Sequence, residues 1–224
     1  MKESVFDPSL LSFPSSYDGD SVLAYLLSSH TEVKKEYSLS VQAGSSLTLT
    51  IVDFSSRGID RTLNISLAEE AQVNVSLASL LCGQEDKIFH VNVTHEGRKS
   101  FSLTKRIGIN SGSGHLSFLG ASMIVNGAKG SSTRQEGRIT NLSPEAKSEV
   151  SPSLLIKEND VRASHGATVG AYDPRQLFYL MSRGLSVKEA KKLITFGYFE
   201  PILSLLGDKD QIQEAKNRLR EVSL

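Results

Sequence analysis

Three short segments decide the fold class: Leu47-Thr-Leu-Thr-Ile51, Leu63-Asn-Ile-Ser-Leu67 and Val73-Asn-Val-Ser-Leu77. In each segment, apolar side chains alternate with Thr, Ser or Asn, which is the period of a β-strand with one buried face. The alternation returns downstream, and clusters of Gly, Ser and Asn that favour turns separate the runs. The further strand runs are 89–93, 101–103 and 116–118, and the turn clusters include 42–46, 110–114 and 127–132.

This strand-rich region extends from about residue 37 to about residue 161 and shows almost no helical periodicity. Strands without intervening helices argue against alternating β-α-β units and leave a β-sandwich, a β-barrel or a β-solenoid. Strand spacing does not choose among the three, because the sequence has no repeat of fixed period. Ahead of this region we predict an N-terminal segment at residues 1–36, in which residues 21–28 are compatible with one or two helical turns.

The pattern changes to a helical one near Asp173. Asp173 is a typical N-cap residue, and Pro174 is a typical first helical residue because its missing N–H costs nothing there. Gly184 has the conformational freedom that a left-handed helix end requires. The sequence therefore predicts a short first helix from Pro174 to the residues before Gly184.

A second helix is predicted to begin at Ser186. Ser186 and Glu189 are spaced as a capping box, in which each side chain accepts a hydrogen bond from the backbone of the other residue. Gly197 and Pro201 are helix breakers, and we predict that the second helix ends there. Residues 210–222 have the periodicity of a last amphipathic helix.

The composition restricts the classes of function. Of the 224 residues, 39% are hydrophobic and 22% are charged, with 25 Lys plus Arg against 25 Asp plus Glu. No apolar run approaches the roughly 18 residues of a membrane span, and a zero formal charge makes nucleic acid an unfavourable partner. The single cysteine, Cys82, excludes an internal disulfide or an all-cysteine metal site. Because Cys82 follows an apolar run, we expect a buried structural thiol.

The N-terminal residues suggest where the protein resides. Met-Lys-Glu-Ser-Val-Phe-Asp-Pro has two early acidic residues and lacks the apolar region of a secretory signal. We therefore expect a cytoplasmic protein.

The segment Asn-Asp-Val-Arg-Ala-Ser-His-Gly-Ala-Thr-Val-Gly at residues 159–170, followed by Asp-Pro-Arg-Gln-Leu-Phe-Tyr-Leu-Met-Ser-Arg-Gly at residues 173–184, resembles a known signature. It is similar to the C-terminal signature of the SufB/SufD family of iron–sulfur cluster assembly proteins, in a form closer to SufD. The resemblance covers roughly residues 89–199. It implies a right-handed parallel β-helix (β-solenoid) core, which we assign to residues 37–170, and a small C-terminal α-helical domain at residues 171–224.

The resemblance also implies a function and partners. The chain would be a non-catalytic scaffold that assembles iron–sulfur clusters and transfers them to apo iron–sulfur proteins. Two such subunits, identical or one of them SufB-like, would associate through their β-helices, and the C-terminal helices would engage SufC, an ABC-type ATPase. Residues 127–132 have the wrong glycine–lysine spacing for a phosphate-binding loop, so the partner would hydrolyse the nucleotide.

His165 is the candidate iron or cluster ligand, because an imidazole nitrogen can bind iron. The alternative is a histidine that only hydrogen-bonds its own turn. Many SufD-type members have cysteine where this chain has Ala163, so we expect any cluster to be transient and none in the isolated chain. Ser164 and His165 would point to opposite faces of a strand, which argues against a serine hydrolase.

Three residues of the first C-terminal helix, Gln176, Tyr179 and Arg183, share a face and are the ATPase-docking candidates. The alternative is an ordinary solvated helix. His90, His95 and His115 lack the spacing of a zinc site and are expected on the surface or in strand ladders. A second class of function is a carbohydrate-active β-helix protein of the polysaccharide lyase type, although no paired carboxylates stand out in the sequence.

Overall fold

The computed structural model describes residues 2–5, 13–27 and 34–222. Within these residues, consecutive strands alternate between two sheets, and every pairing within a sheet is parallel. The odd-numbered strands form a seven-stranded sheet and the even-numbered strands a six-stranded sheet, so this is a parallel β-solenoid, as predicted. The strands are β1 (Lys2–Val5), β2 (Ser16–Tyr17), β3 (Asp20–Leu27), β4 (Lys34–Val41), β5 (Ser46–Asp53), β6 (Ile59–Leu67), β7 (Gln72–Leu81), β8 (Lys87–His95), β9 (Phe101–Asn110), β10 (His115–Ile124), β11 (Ser132–Asn141), β12 (Lys147–Ile156) and β13 (Arg162–Gly170).

The length of one solenoid turn varies along the chain. The positions in register along one row of the seven-stranded sheet are Asp20, Ser46, Gln72, Phe101, Ser132 and Arg162. Successive turns therefore take 26, 26, 29, 31 and 30 residues. The loops absorb the difference while the strands keep their register, which explains why the sequence shows no fixed period.

The lumen between the two sheets holds the main core. Leu47 and Leu49 of β5 and Val73 and Val75 of β7 point inward and are buried, as their alternation predicts. Parallel in-register pairing stacks such residues about 4.8 Å apart from one turn to the next. The apolar filling continues as far as Phe118 and Ile139.

A buried ion pair lies at the corner where β7 turns towards β8. Lys87 Nζ lies 2.6 Å from Asp53 Oδ2 and also donates to the carbonyl oxygens of Ser55 and Leu80 at 2.7 and 2.8 Å. The hydroxyls of Ser55 and Ser79 donate to the same carboxylate. Both charged side chains are fully buried, and every ammonium hydrogen has an acceptor.

Three helices follow the solenoid: α1 (Pro174–Ser182), α2 (Val187–Leu203) and α3 (Lys209–Glu221). The predicted N-cap Asp173, the capping box of Ser186 and Glu189, and the left-handed Gly184, at φ +95°, are all observed. The two hydrogen bonds from Ser186 lower the pKa of the Glu189 carboxyl. The start of both helices and the end of α1 are thus determined locally.

A second core anchors α2 and α3 on the outer face of the seven-stranded sheet. Phe199 of α2 is fully buried, and its ring centroid lies 5.8 Å from that of Phe54. Leu203 of α2 and Leu219 of α3 are buried with it against Val52 of β5 and the neighbouring strands. The helical region is therefore fixed to the solenoid by apolar packing.

Two predictions of secondary structure are wrong. Residues 21–27 belong to strand β3, not to a helix, and they pair with β5; Ser28 lies outside the described residues. The second helix also continues through Gly197 and Pro201 to Leu203. Burial of Phe199 and Leu203 against the sheet outweighs the unfavourable helix propensity of glycine and proline.

Candidate functional site at the open end of the solenoid

Strand β13 ends the seven-stranded sheet and β12 ends the six-stranded sheet. Nothing in the described part of the chain covers this end, and Val169, which pairs with the buried Ile139, is 42% exposed. The outer edges of both strands present unpaired backbone groups, which is the usual template for another β-structure. The solenoid is therefore open here.

His165 lies in β13 at this open end, and its side chain is exposed. It pairs in register with Gln135 of β11, which is buried inside the lumen. In-register neighbours point to the same side of a sheet, so His165 is on the lumen side and Ser164 on the outer side. The predicted opposite orientation of these two residues is confirmed by their position in a strand.

Behind His165 the lumen holds a buried cation. Arg106 Nη2 donates to Gln135 Oε1 at 3.1 Å, and Arg106 Nη1 donates to the carbonyl oxygen of Leu119 at 2.9 Å. Gln135 Nε2 in turn donates to the carbonyl oxygen of Ser153 at 2.8 Å. Burial lowers the pKa of Arg106 to about 10, so the guanidinium stays charged at neutral pH. No pattern in the sequence predicts this buried charge.

A glycine makes room for this arrangement. A Cβ atom on Gly120 would lie 2.1 Å from the carbonyl oxygen of Val91 and 3.2 Å from Arg106 Nη1. Because the contact with the Val91 backbone is too close for any side chain, only glycine fits at this position.

A chain of hydroxyl groups surrounds His95 deeper in the lumen. The two ring nitrogens of His95 lie 2.8 Å from the hydroxyls of Ser100 and Ser102. Ser102 donates to Thr133, which donates to Ser122. His95 thus belongs to a strand ladder, as expected, but it is fully buried. The lumen changes from apolar to polar towards the open end.

We expect His95 to make stability depend on pH. Burial lowers its pKa from 6.5 to about 4, so the unfolded chain binds the proton more tightly. Above pH 6.5 His95 is neutral in both states and does not reduce the free energy of unfolding. As the pH falls from 6.5 towards 4, protonation of the unfolded chain lowers this free energy, by about 3 kcal/mol at most. Urea unfolding at pH 7, 5.5 and 4.5 should show a smaller loss for His95→Gln than for the wild type. Equal pH dependence of the two proteins would contradict this role.

The second candidate region is the outer surface of the α1–α2 hairpin. Gln176, Tyr179 and Arg183 are all exposed, and the Arg183 guanidinium carbon lies 5.3 Å from the centroid of the Tyr179 ring. Gln176 Oε1 accepts a hydrogen bond from the hydroxyl of Tyr198 at 3.1 Å. A groove of about 580 Å³ runs between the two helices beside Gln176 and Tyr179.

The sequence prediction missed the apolar character of this surface. No residue of α1 is buried, and Phe178 is 74% exposed. Leu193 of α2 is 53% exposed. We call Phe178, Tyr179, Met181, Val187 and Leu193 the hairpin face. Each of these residues has a large apolar or aromatic side chain that is exposed in the described part of the chain.

Cys82 is exposed, so the expected burial is wrong. Leu81, the last residue of β7, is buried, but Cys82 lies beyond the strand in the loop before β8. Outside the strand, side chains no longer alternate between the inside and the outside of the solenoid, so the apolar run before Cys82 does not predict its burial. Cys82 lies at the rim of a shallow cavity that Ser111 and Arg218 also line.

Neither a complete metal site nor a membrane-spanning helix is found in the described residues. Across residues 13–27 and 34–222, no three His, Cys, Asp or Glu side chains are grouped so that they could hold a metal ion. None of the helices in that part of the chain has the length and apolarity to cross a bilayer. His165 belongs to no such group among these residues.

These features define a parallel β-solenoid with an open end and a C-terminal helical hairpin. Residues 28–198 match the model of the SufBD core domain of the SUF system for iron–sulfur cluster assembly. The match covers more than half of the chain. The chain belongs to the SufBD family of iron–sulfur cluster assembly proteins.

Individual proteins of this family are similar to the chain in sequence. The chain is 37% identical over 133 residues to the iron–sulfur cluster assembly protein SufD of Bacillus subtilis, covering 58% of this chain and 30% of that protein. It is 33% identical over 90 residues to SufD of Escherichia coli, covering 38% of this chain and 21% of that protein. A SufBD family protein of Mycobacterium tuberculosis is 34% identical over 113 residues, which are 50% of this chain and 13% of the relative. The chain therefore spans less than a third of the length of these relatives.

Proposed function

We propose that this chain is a non-catalytic scaffold subunit on which iron–sulfur clusters are assembled before transfer to apo-proteins in the cytoplasm. An ABC-type ATPase of the SufC type would drive the process. The observation that carries the proposal is the uncovered hairpin face on a chain of the SufBD family. The cluster is cargo in this proposal, not a resident cofactor.

The hairpin face suits the ATPase as a partner. Its large apolar side chains include Tyr179, on whose ring the neighbouring Arg183 lies, and Tyr and Arg are residue types that dominate binding energy at protein interfaces. It is also anchored, because α2 buries Phe199 and Leu203 against the solenoid. A movement imposed on the hairpin by nucleotide hydrolysis would therefore be transmitted to the sheets.

The open end suits a second solenoid. The free edges of β12 and β13 can pair with the edge strands of an identical or SufB-like subunit, and the exposed Val169 and Ile156 would be buried by that contact. His165 would then lie at the interface, opposite side chains of the partner. This arrangement supports a cluster or iron site shared between subunits, since His165 alone cannot complete one.

A substitution of His165 tests the site. We expect His165→Ala to lower the iron and sulfide bound after anaerobic co-expression with the partner subunits about tenfold, because loss of a ligand weakens metal binding at least as much as loss of a second-shell group. The fold should not change, because the side chain is exposed. Ser164→Ala, on the opposite face of the same strand, is the matched control. Full cluster loading of His165→Ala would remove this residue from the site.

A further inference from the structure

A groove of about 690 Å³ lies on the outer face of the seven-stranded sheet, next to α2. Side chains of β9, β11 and β13 form its floor, and Gly197, Tyr198 and Pro201 of α2 form one wall. Its lining also includes Arg106, Gln135 and His165, which belong to the same strands but whose side chains point to the lumen on the other side of the sheet. It is a separate surface from the hairpin face, although Tyr198 lies between the two.

The floor of the groove is rich in positive charge. Arg134 and Arg138 lie on β11 on either side of Glu136, and Lys105 of β9 pairs in register with Glu136. Arg134 forms an ion pair with Glu136. In the described part of the chain, neither Lys105 nor Arg138 has a carboxylate within ion-pair distance. Three cations against one carboxylate leave an excess of two positive charges.

Hydroxyl groups and an aromatic ring complete the lining. On β13, Ser164 is in register with Arg134, and Thr168 is in register with Arg138. The Arg138 guanidinium carbon lies 5.0 Å from the centroid of the Tyr198 ring, so stacking orients its N–H donors. Each arginine therefore has a hydroxyl donor on the neighbouring strand, and Tyr198 with Pro201 provides an apolar wall.

We propose that this groove binds a phosphate dianion, either as the free ion or as the monoester of a small organic molecule. The planar donor fork of arginine matches the oxygens of a phosphate, and hydroxyl groups add further donors. The excess charge of the floor equals the charge that a dianion brings. The apolar wall would contact the organic part of a monoester. This inference does not depend on the scaffold function.

Isothermal titration calorimetry on the full chain tests the proposal with three probes at low salt. Inorganic phosphate and phenyl phosphate should bind, and succinate, a dianion without phosphate geometry, should bind at least about tenfold more weakly. Tighter binding of phenyl phosphate than of inorganic phosphate would assign the site to a monoester; equal binding would assign it to the free ion. Absence of binding, or equal binding of succinate, would overturn the proposal.

Three variants locate the site. Arg138→Gln should weaken phosphate binding about tenfold, because one charge-assisted contact is lost. Arg57→Gln removes the same charge from an exposed position in the loop after β5 and should leave binding unchanged. Glu136→Gln should tighten binding about threefold or more, because it removes the single carboxylate and releases Arg134. Misfolding cannot produce such a gain. An equal loss in Arg57→Gln, or no gain in Glu136→Gln, would show that the groove is not the site.

Discussion

Replacing Asp53 by Ala is expected to lower the free energy of unfolding by about 3–5 kcal/mol. The variant would leave the Lys87 ammonium fully buried without its carboxylate partner, which now lies 2.6 Å away. Ser55 and Ser79 would also lose the acceptor of their hydroxyl groups. Urea unfolding at pH 7 measures the change.

Two controls define the cause of that loss. Combining Asp53→Ala with Lys87→Met removes both charges and should destabilise the protein less than Asp53→Ala alone, because no uncompensated charge stays buried. Glu214→Ala breaks the ion pair with Arg218, whose side chain is 35% exposed, and should cost less than about 1 kcal/mol. A double variant less stable than Asp53→Ala would show that packing, not charge burial, dominates at this corner.

The second large effect is expected on association with the ATPase. Phe178→Asp and Arg183→Glu should each weaken binding of a SufC-type ATPase about thirtyfold or more, the loss typical of a central interface residue. Phe178 is 74% exposed, and the guanidinium of Arg183, the C-cap residue of α1, contacts only the ring of Tyr179 among the aromatic rings of the described residues. Both variants should therefore fold normally. Surface plasmon resonance with the purified ATPase measures the affinities.

A matched substitution separates docking from a general effect of charge. Arg57→Glu makes the same charge reversal as Arg183→Glu, at an exposed residue of the solenoid outside the hairpin face. Its affinity for the ATPase should equal that of the wild type. If the wild type, Phe178→Asp, Arg183→Glu and Arg57→Glu all bind the ATPase with equal affinity, the hairpin face does not contact the ATPase.

The strands could be predicted because their pattern is local. Leu47, Leu63 and Val73 each begin a run in which every second side chain is apolar, and each run lies in a strand of the structure. The spacing of the strands in the sequence did not predict a solenoid. Its turns vary from 26 to 31 residues, so the sequence has no repeat of constant length. The solenoid was predicted instead from the similarity of residues 159–184 to the SufB/SufD signature.

The expectations that proved wrong depend on long-range contacts. Gly197 and Pro201 are helix breakers by propensity, yet Phe199 packs against Phe54, which is 145 residues away in the sequence, and holds the segment helical. The buried Arg106 could not be predicted, since its acceptors on Leu119 and Gln135 lie 13 and 29 residues further along the chain. Leu193 follows the helical periodicity of α2 but lies on the side away from the sheet.

Recovery of the ATPase with the wild-type chain tests the scaffold function most directly. The tagged chain would be co-expressed with a SufC-type ATPase and purified at moderate salt, with Phe178→Asp in parallel. We predict that the ATPase is recovered in stoichiometric amount with the wild type and is depleted with Phe178→Asp. The purification is carried out with and without nucleotide. If the wild-type chain is correctly folded and the ATPase is absent from both preparations, the proposed function is contradicted.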